Sequence, residues 1–190
     1  IGIIFMMLGQ LSFSINDTLV KEIVIDSSSN MSVINVIFLR GLITTFLILM
    51  FLIFYEKKNI FTIIKIKKYH QRGVYEVLTA ICFFTGLILL PVAEVYTLLM
   101  TNPFFVTIFA FLFLKEKVGI RRWGAVAVGF IGVIFVVNPQ NISFNYLYIF
   151  PIIAAVFLTI RDIATKGIAT KTNSFEIIFI TSVLMTLSSG

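Results

Sequence analysis

Long, uninterrupted apolar runs separated by short polar connections dominate this sequence. They constrain the fold strongly, because a membrane-spanning helix needs about 20 mostly apolar residues. The runs lack the short alternating segments that transmembrane β-strands require. The sequence therefore predicts an all-α, polytopic transmembrane helix bundle. The candidate spans are 1–24, 33–55, 73–90, 95–114, 123–138 and 146–165, with a seventh beginning near 175.

The composition also indicates that lipid, rather than water, surrounds most of the chain. Apolar residues make up 59% of the 190 residues and charged residues 13%, whereas soluble domains have about 45–50% and about 25%. A water-soluble domain of this length cannot bury so much apolar surface. The net charge of +6 does not predict a nucleic-acid partner, because the basic residues lie in short connections between spans.

These basic residues predict the orientation of the spans. Thirteen of the fifteen Lys and Arg residues fall at the connections that follow the second, fourth and sixth spans. Cytoplasmic connections carry the excess of Lys and Arg. We therefore expect these connections and the N-terminus in the cytoplasm, in an inner or plasma membrane. The residues are Lys57, Lys58, Lys65, Lys67, Lys68, Arg72, Lys115, Lys117, Arg121, Arg122, Arg161, Lys166 and Lys171.

A D-x-x-x-K pattern occurs twice, in INDTLVKEI at 15–23 and in IRDIATKGI at 160–168. Asp17 and Asp162 are 145 residues apart. The second copy lies five spans after the first. Because five is an odd number, the second copy has the opposite orientation across the membrane. Inverted repeats are typical of secondary transporters, which bind substrate at the repeat interface. In a composition this biased, four identities in nine positions are also compatible with chance.

Three segments carry a resemblance to a known family: FLR at 38–40, LLPVAEVYTLLMTNPFFVTIFAFLFLKEKV at 89–118 and RRWGAVAVGFIGVIFVVNP at 121–139. A short turn with Pro and Ala leads into a helix with a central Pro-aromatic step, followed by a Glu and a Gly-rich helix. In this pattern the chain resembles an EamA domain of the drug/metabolite transporter superfamily. SINDTLVK at 14–21 is similar to the first helix of S-adenosylmethionine uptake carriers in that superfamily.

The resemblance implies an inverted repeat of five helices. Residues 1–139 would form the first EamA-like repeat, and residues 146–190 the start of the second, with helix 6 and part of helix 7. The chain begins at Ile1 and stops at Gly190 inside an apolar run. We therefore expect a fragment of about seven helices from a parent that the resemblance implies has ten.

Asp17 and Arg40 are candidate substrate-binding residues, because each places a charge deep in a predicted span. Such a charge costs about 2.5–3.5 kcal/mol on insertion scales and needs a partner or a wet cavity. Both lie roughly 10 Å from the same end of antiparallel neighbours, so we expect them within reach of each other. One interpretation is a permanent ion pair. The other is that Arg40 binds a substrate carboxylate, while Asp17 holds Arg40 or carries a proton.

Thr101, Asn102 and Pro103 are further candidates, in the fourth span. Proline removes one backbone hydrogen bond, and lipid tolerates the freed carbonyl only against protein or water. Thr101 and Asn102 would then line a polar cavity at mid-depth, or flank a kink that serves packing. Glu94 and Tyr96, at the start of this span, are additional candidates; a carboxylate at Glu94 also suits the helix dipole.

Two spacings predict packing rather than binding. Arg72 and Glu76 are four residues apart, which is typical of an ion pair on a helix surface. Ala125 and Gly129 form a small-xxx-small step, which predicts close helix packing, either within one bundle, as we favour, or across a dimer. We accordingly expect a monomer.

The sequence shows no catalytic constellation, phosphate loop or cluster of metal ligands. We therefore expect a protein that is not an enzyme and that needs no cofactor or metal. The predicted function is secondary transport of a small polar metabolite by alternating access between the two repeats. The resemblance implies coupling to protons or to a counter-substrate. The competing interpretation is a membrane protein without transport activity, either an accessory or scaffold subunit or a membrane-embedded enzyme.

Overall fold

In the computed structural model, the residues that the structure describes are 2–25, 33–55, 63–113, 115, 118–137, 146–166 and 173–190. Within these ranges the chain is helical and has no strand, which confirms the all-α prediction. The helices are α1 (Gly2–Ile25), α2 (Val33–Phe54), α3 (Lys67–Leu89), α4 (Val92–Leu99), α5 (Asn102–Leu112), α6 (Ile120–Val137), α7 (Ile149–Lys166) and α8 (Ser174–Ser189). A 3-10 turn, Tyr146–Tyr148, leads into α7. Lys57, Lys58, Lys117, Lys171 and residues 138–139 and 167–168, which carry predictions made above, lie outside the described residues.

The helices follow the predicted spans, with one change of boundary and one break. Four described segments are long and apolar enough to cross a membrane: Ile34–Phe54, Lys67–Leu89, Val92–Leu112 and Tyr146–Lys166. The third span begins at Lys67 rather than at the predicted residue 73. Its first turns are polar (KKYHQR), so apolar content alone placed the start of this helix too late.

The fourth span is broken into α4 and α5 at Met100 and Thr101. Pro103 has no N–H, so the carbonyl of Leu99, four residues earlier, lacks its helical donor. The chain tightens there: the Thr101 N–H donates to Leu98 O at 3.0 Å, and a new helix starts with proline in its first turn. Proline suits that position, because the first N–H groups of a helix have no partner within the helix. The predicted kink is thus a helix break.

The tightest helix packing depends on glycines of α2 and α3. A methyl group added at Gly41 would lie 2.6 Å from Thr186 Oγ1 and 3.2 Å from the Thr186 backbone nitrogen. At Gly73 it would lie 2.5 Å from Leu184 Cδ1, and at Gly86 3.1 Å from Pro151 Cδ. These glycines let α8 pack on α2 and α3, and let α7 pack on α3.

Helices α1 and α6 lie at the edge of the described bundle. Apolar side chains along α1, such as Phe5 and Leu11, are more than half exposed, as are Val128 and Phe135 of α6. No atom of a described residue lies within 4 Å of the position of an added methyl group at Gly129. The prediction that the small-residue step of α6 packs closely within one bundle is therefore wrong for the described residues. The close glycine contacts are in α2 and α3 instead.

Replacement of Gly41 by alanine should destabilise the protein. Alanine favours a helix over glycine by about 0.5–1 kcal/mol, but here its methyl group would clash with the Thr186 backbone on α8. Overpacking of this kind costs about 1–3 kcal/mol. The measurement is thermal unfolding of the full-length protein in detergent.

Gly129→Ala is the matched control, since it makes the same chemical change in open space on α6. It should leave the melting temperature unchanged or raise it. If Gly41→Ala and Gly129→Ala behave alike, the close approach of α2 and α8 is incorrect.

A polar cavity within the helix bundle

A cavity of about 560 Å³ lies between α1, α2, α3, α7 and α8, with side chains of α4 at its edge. Most of its wall is apolar, including Phe13, Phe83 and Phe84. Charged and phenolic groups nevertheless line it, and they form two groups, one near each end of α3. The members are Asp17, Arg40, Tyr96, Arg72, Glu76 and Arg161.

The first group joins α1, α2 and α4. The Tyr96 hydroxyl donates to Asp17 Oδ2 at 2.5 Å, and Asp17 is 6% exposed. Arg40 Nη1 donates to Asn16 Oδ1 at 3.1 Å and lies 3.8 Å from Asp17 Oδ1. Asp17 and Arg40 are therefore neighbours, as their depths predicted. The pair is loose, since the Arg40 side chain is 41% exposed and Asp17 is held mainly by Tyr96.

The lysine of the first D-x-x-x-K stretch has a separate contact. Lys21 Nζ donates to the carbonyl oxygen of Leu90 at 2.5 Å, at the C-terminal end of α3. The last carbonyls of a helix lack partners within the helix, and a cation there also suits the helix dipole. Asp17 and Lys21 thus attach α1 to α4 and to α3.

The second group joins α3, α7 and α8 through four charges. Arg161 Nη1 donates to both Glu76 oxygens, at 2.9 and 3.0 Å, and Arg161 Nη2 lies 2.8 Å from Asp162 Oδ1. Arg72 Nη2 lies 3.4 Å from Glu76 Oε2. The Arg72–Glu76 pair predicted from spacing is present, but it faces the cavity and not an outer surface.

Arg72 extends this group to α8. Its Nε donates to Thr165 Oγ1 and its Nη1 to Thr181 Oγ1, each at 2.9 Å. Sequence reasoning missed Arg161, because it counted that residue with the basic connection after the sixth span. The sequence did contain a signal. Arg161 lies near the end of α7, and Arg72 and Glu76 lie near the start of α3. Because the two helices are antiparallel, these three residues lie at a similar level along the bundle.

Asn102 links the break in the fourth span to α7. Its Oδ1 accepts from Thr159 Oγ1 at 2.6 Å, and its Nδ2 donates to Asp162 Oδ2 at 3.4 Å. Thr101 is buried and donates its hydroxyl to Leu98 O. Thr101, Asn102 and Pro103 are not in the wall of the central cavity; they line a second groove between α5 and α6. Glu94 lies in the first turn of α4.

Comparison with known proteins adds a family match to this geometry. Residues 1–138 match the EamA-like transporter family. The pseudopaline exporter of Pseudomonas aeruginosa is 26% identical over 179 residues, 94% of this chain and 61% of that protein. The S-adenosylmethionine uptake transporter of Rickettsia prowazekii is 25% identical over 195 residues, 99% of this chain and 62% of that protein.

A third relative matches a shorter part of the chain. The riboflavin transporter of Rhizobium johnstonii is 32% identical over 97 residues, 51% of this chain and 32% of that protein. This chain therefore spans about three fifths of the length of the two relatives that match most of it. No solved structure matches.

Removal of the Arg161 guanidinium should destabilise the bundle. Arg161→Gln leaves the Glu76 and Asp162 carboxylates without their closest cation, and hydrogen bonds to charged groups contribute about 1.5–3 kcal/mol. Arg161→Gln with Glu76→Gln should cost less than the sum of the single changes, because the two groups interact directly. Thermal unfolding of the four proteins in the double-mutant cycle measures the coupling.

Arg121→Gln is the control for loss of a cation. Arg121 is exposed at the start of α6, so this change should stay within about 0.5 kcal/mol of the parent. Additive effects of the Arg161 and Glu76 changes would contradict the ion pair.

Proposed function

This chain belongs to the EamA-like transporter family, and on that premise we propose that it forms the substrate pathway of a secondary transporter for a small polar metabolite. The relatives are named as transporters and not as enzymes, and their names cover an exporter, an uptake carrier and a vitamin carrier. The family and the apolar helices make this a multi-pass membrane protein. We place it in an inner or plasma membrane with its N-terminus in the cytoplasm.

A cavity whose lining includes two groups of charged side chains is the observation that carries the proposal. Charges within spanning helices are costly and commonly mark a substrate or ion pathway. A volume of about 560 Å³ falls in the range of small-molecule sites, roughly 300–1,000 Å³. A bundle held together by packing alone would not need charged groups around an open space.

Arg40 is the group best placed to bind substrate. Its contacts with described residues are Asn16 and the 3.8 Å approach to Asp17, so its guanidinium retains donors for a ligand. Arg161, in contrast, directs all three nitrogens to Glu76 and Asp162. A guanidinium matches a carboxylate or phosphate through two parallel hydrogen bonds. We assign Arg40 to binding the anionic group of the substrate, and Asp17 and Tyr96 to orienting Arg40.

Alternating access requires that each end of the cavity open in turn, and the contacts suggest how the two ends are linked. Asp17 of the first D-x-x-x-K stretch bonds Tyr96 in α4, and Asp162 of the second bonds Asn102 in α5. The two corresponding aspartates thus hold the two halves of the broken fourth span. This arrangement supports inverted repeats at 1–139 and 146–190, with the substrate between them. Thr101, Asn102 and Pro103 would act by positioning that break.

Asp17 is our candidate for coupling to protons or to a counter-substrate. It is buried beside the cavity, and its bonds to Tyr96 and Arg40 would change when a proton or a substrate anion arrives. Glu76, the other carboxylate in the wall, is held by two guanidinium groups. Glu94 remains a lesser candidate for substrate contact.

Transport by the full-length protein in proteoliposomes tests the role of Arg40. Uptake and efflux of labelled riboflavin, S-adenosylmethionine and other charged metabolites would first identify a transported compound. Arg40→Gln should then reduce its transport at least about tenfold, because a hydrogen bond to a charged group contributes about 1.5–3 kcal/mol. Arg40→Lys should recover part of the activity, since lysine keeps the positive charge but lacks the two parallel hydrogen-bond donors of a guanidinium.

Arg121→Gln, exposed on α6, is the control for loss of positive charge. Full activity of a correctly folded Arg40→Gln protein would remove Arg40 from substrate binding. If the wild-type protein binds one of these compounds but transports none of them, an accessory role is favoured.

The orientation has its own test. Cys82 is the one cysteine of the sequence, so a Cys82→Ala background allows single reporter cysteines. Lys58→Cys, Gly119→Cys and Lys171→Cys should react with a membrane-impermeant reagent from the cytoplasmic side, and Asn141→Cys from the opposite side, following the distribution of Lys and Arg. Labelling of Lys58→Cys and Gly119→Cys from opposite sides would contradict the inverted-repeat architecture.

A further inference from the structure

A second groove, of about 610 Å³, lies between α5 and α6 at the edge of the described bundle. Its wall is mostly apolar. Phe104 and Phe130 stack across it with ring centroids 5.3 Å apart, and Ala125 and Gly129 widen it on the α6 side. Since no described residue lies within 4 Å of an added methyl group at Gly129, this space is open in the part of the chain that the structure describes.

Two cations in the lining of this groove set it apart from a plain packing defect. Arg122 lies in the first turn of α6 and Lys166 in the last turn of α7, and no carboxylate is among the lining residues that the structure describes. The structure records no ion pair or side-chain hydrogen bond between either cation and a described residue. A site with apolar walls and two available cations is complementary to an amphiphile with an anionic head.

We propose that this groove binds an anionic phospholipid, with the phosphate at Arg122 and Lys166 and an acyl chain along Ala125 and Gly129. The start of α6 and the end of α7 belong to the basic connections, where basic pockets between spanning helices bind anionic head groups. Arg122 also lies in the first turn of α6, where the helix dipole favours a phosphate. The proposal does not depend on transport.

The charges favour lipid over a second copy of the chain. A two-fold interface at this groove would bring the same patch of both copies together. Arg122 and Lys166 would then face their own counterparts with no carboxylate from the lining to offset them. Substrate binding is also a poorer fit, because the bonds of Asn102 to Thr159 and Asp162 lie between this groove and the charges of the central cavity.

Native mass spectrometry of the delipidated full-length protein tests the proposal. Phosphatidylglycerol and phosphatidylcholine with identical acyl chains are added back, and the bound lipid is counted. Wild type should retain phosphatidylglycerol preferentially. Arg122→Gln with Lys166→Gln should weaken that binding roughly fivefold for each cation removed. Arg121→Gln with Lys115→Gln, which removes the same charge outside the groove lining, should leave it unchanged.

A second variant tests the acyl-chain part of the site without touching the cations. Gly129→Leu places a side chain in the open space and should lower retention of phosphatidylglycerol, with thermal stability preserved. Equal retention of both lipids by wild type, or equal loss in the two charge variants, would overturn the proposal. So would disulfide-linked dimers of Gly129→Cys in the Cys82→Ala background, because they would show a second copy in the groove.

Discussion

The ion-pair network at the start of α3 is the interaction on which the described bundle depends most. Arg161 binds Glu76 and Asp162, and Arg72 adds Thr181 of α8, so one connected group of charges joins three helices. Lipid cannot satisfy such groups, so each must find its partner inside the protein. Apolar packing between spanning helices is weakly directional, because lipid tails are as apolar as the side chains. The network therefore specifies which faces of α3, α7 and α8 meet, and the glycine contacts then allow them to approach.

The same requirement explains why a cavity can exist here. The ion-pair network of α3 and α7 and the Tyr96–Asp17 hydrogen bond both involve side chains of the cavity lining, and they connect the helices around it. Arg40 is held more loosely than these groups, because its closest carboxylate is 3.8 Å away and its side chain is 41% exposed. This loose hold supports the proposal that Arg40 binds the anionic group of a substrate.

Membership of the EamA-like transporter family agrees with this division between scaffold and site. The relatives are named for chemically different compounds. Function in such a fold depends on the few side chains that face the cavity. In this chain those side chains come from helices far apart in sequence. The groove between α5 and α6 differs, because its described lining is mostly apolar and its charged members are both cations.

The sequence alone determined the all-α class, the position of most spans, an interruption of the fourth span near Pro103 and the distance of Asp17 and Arg40 from the ends of their helices. These are local properties, since apolar content, proline and distance along a helix act within one segment. The tertiary structure decided which faces meet. It turned the Arg72–Glu76 pair towards a cavity, added Arg161 from 85 residues away, placed Asn102 against α7 and left Gly129 open. These contacts depend on how each helix is rotated and packed against the others. The sequence pattern of one helix does not specify which residues of other helices it contacts.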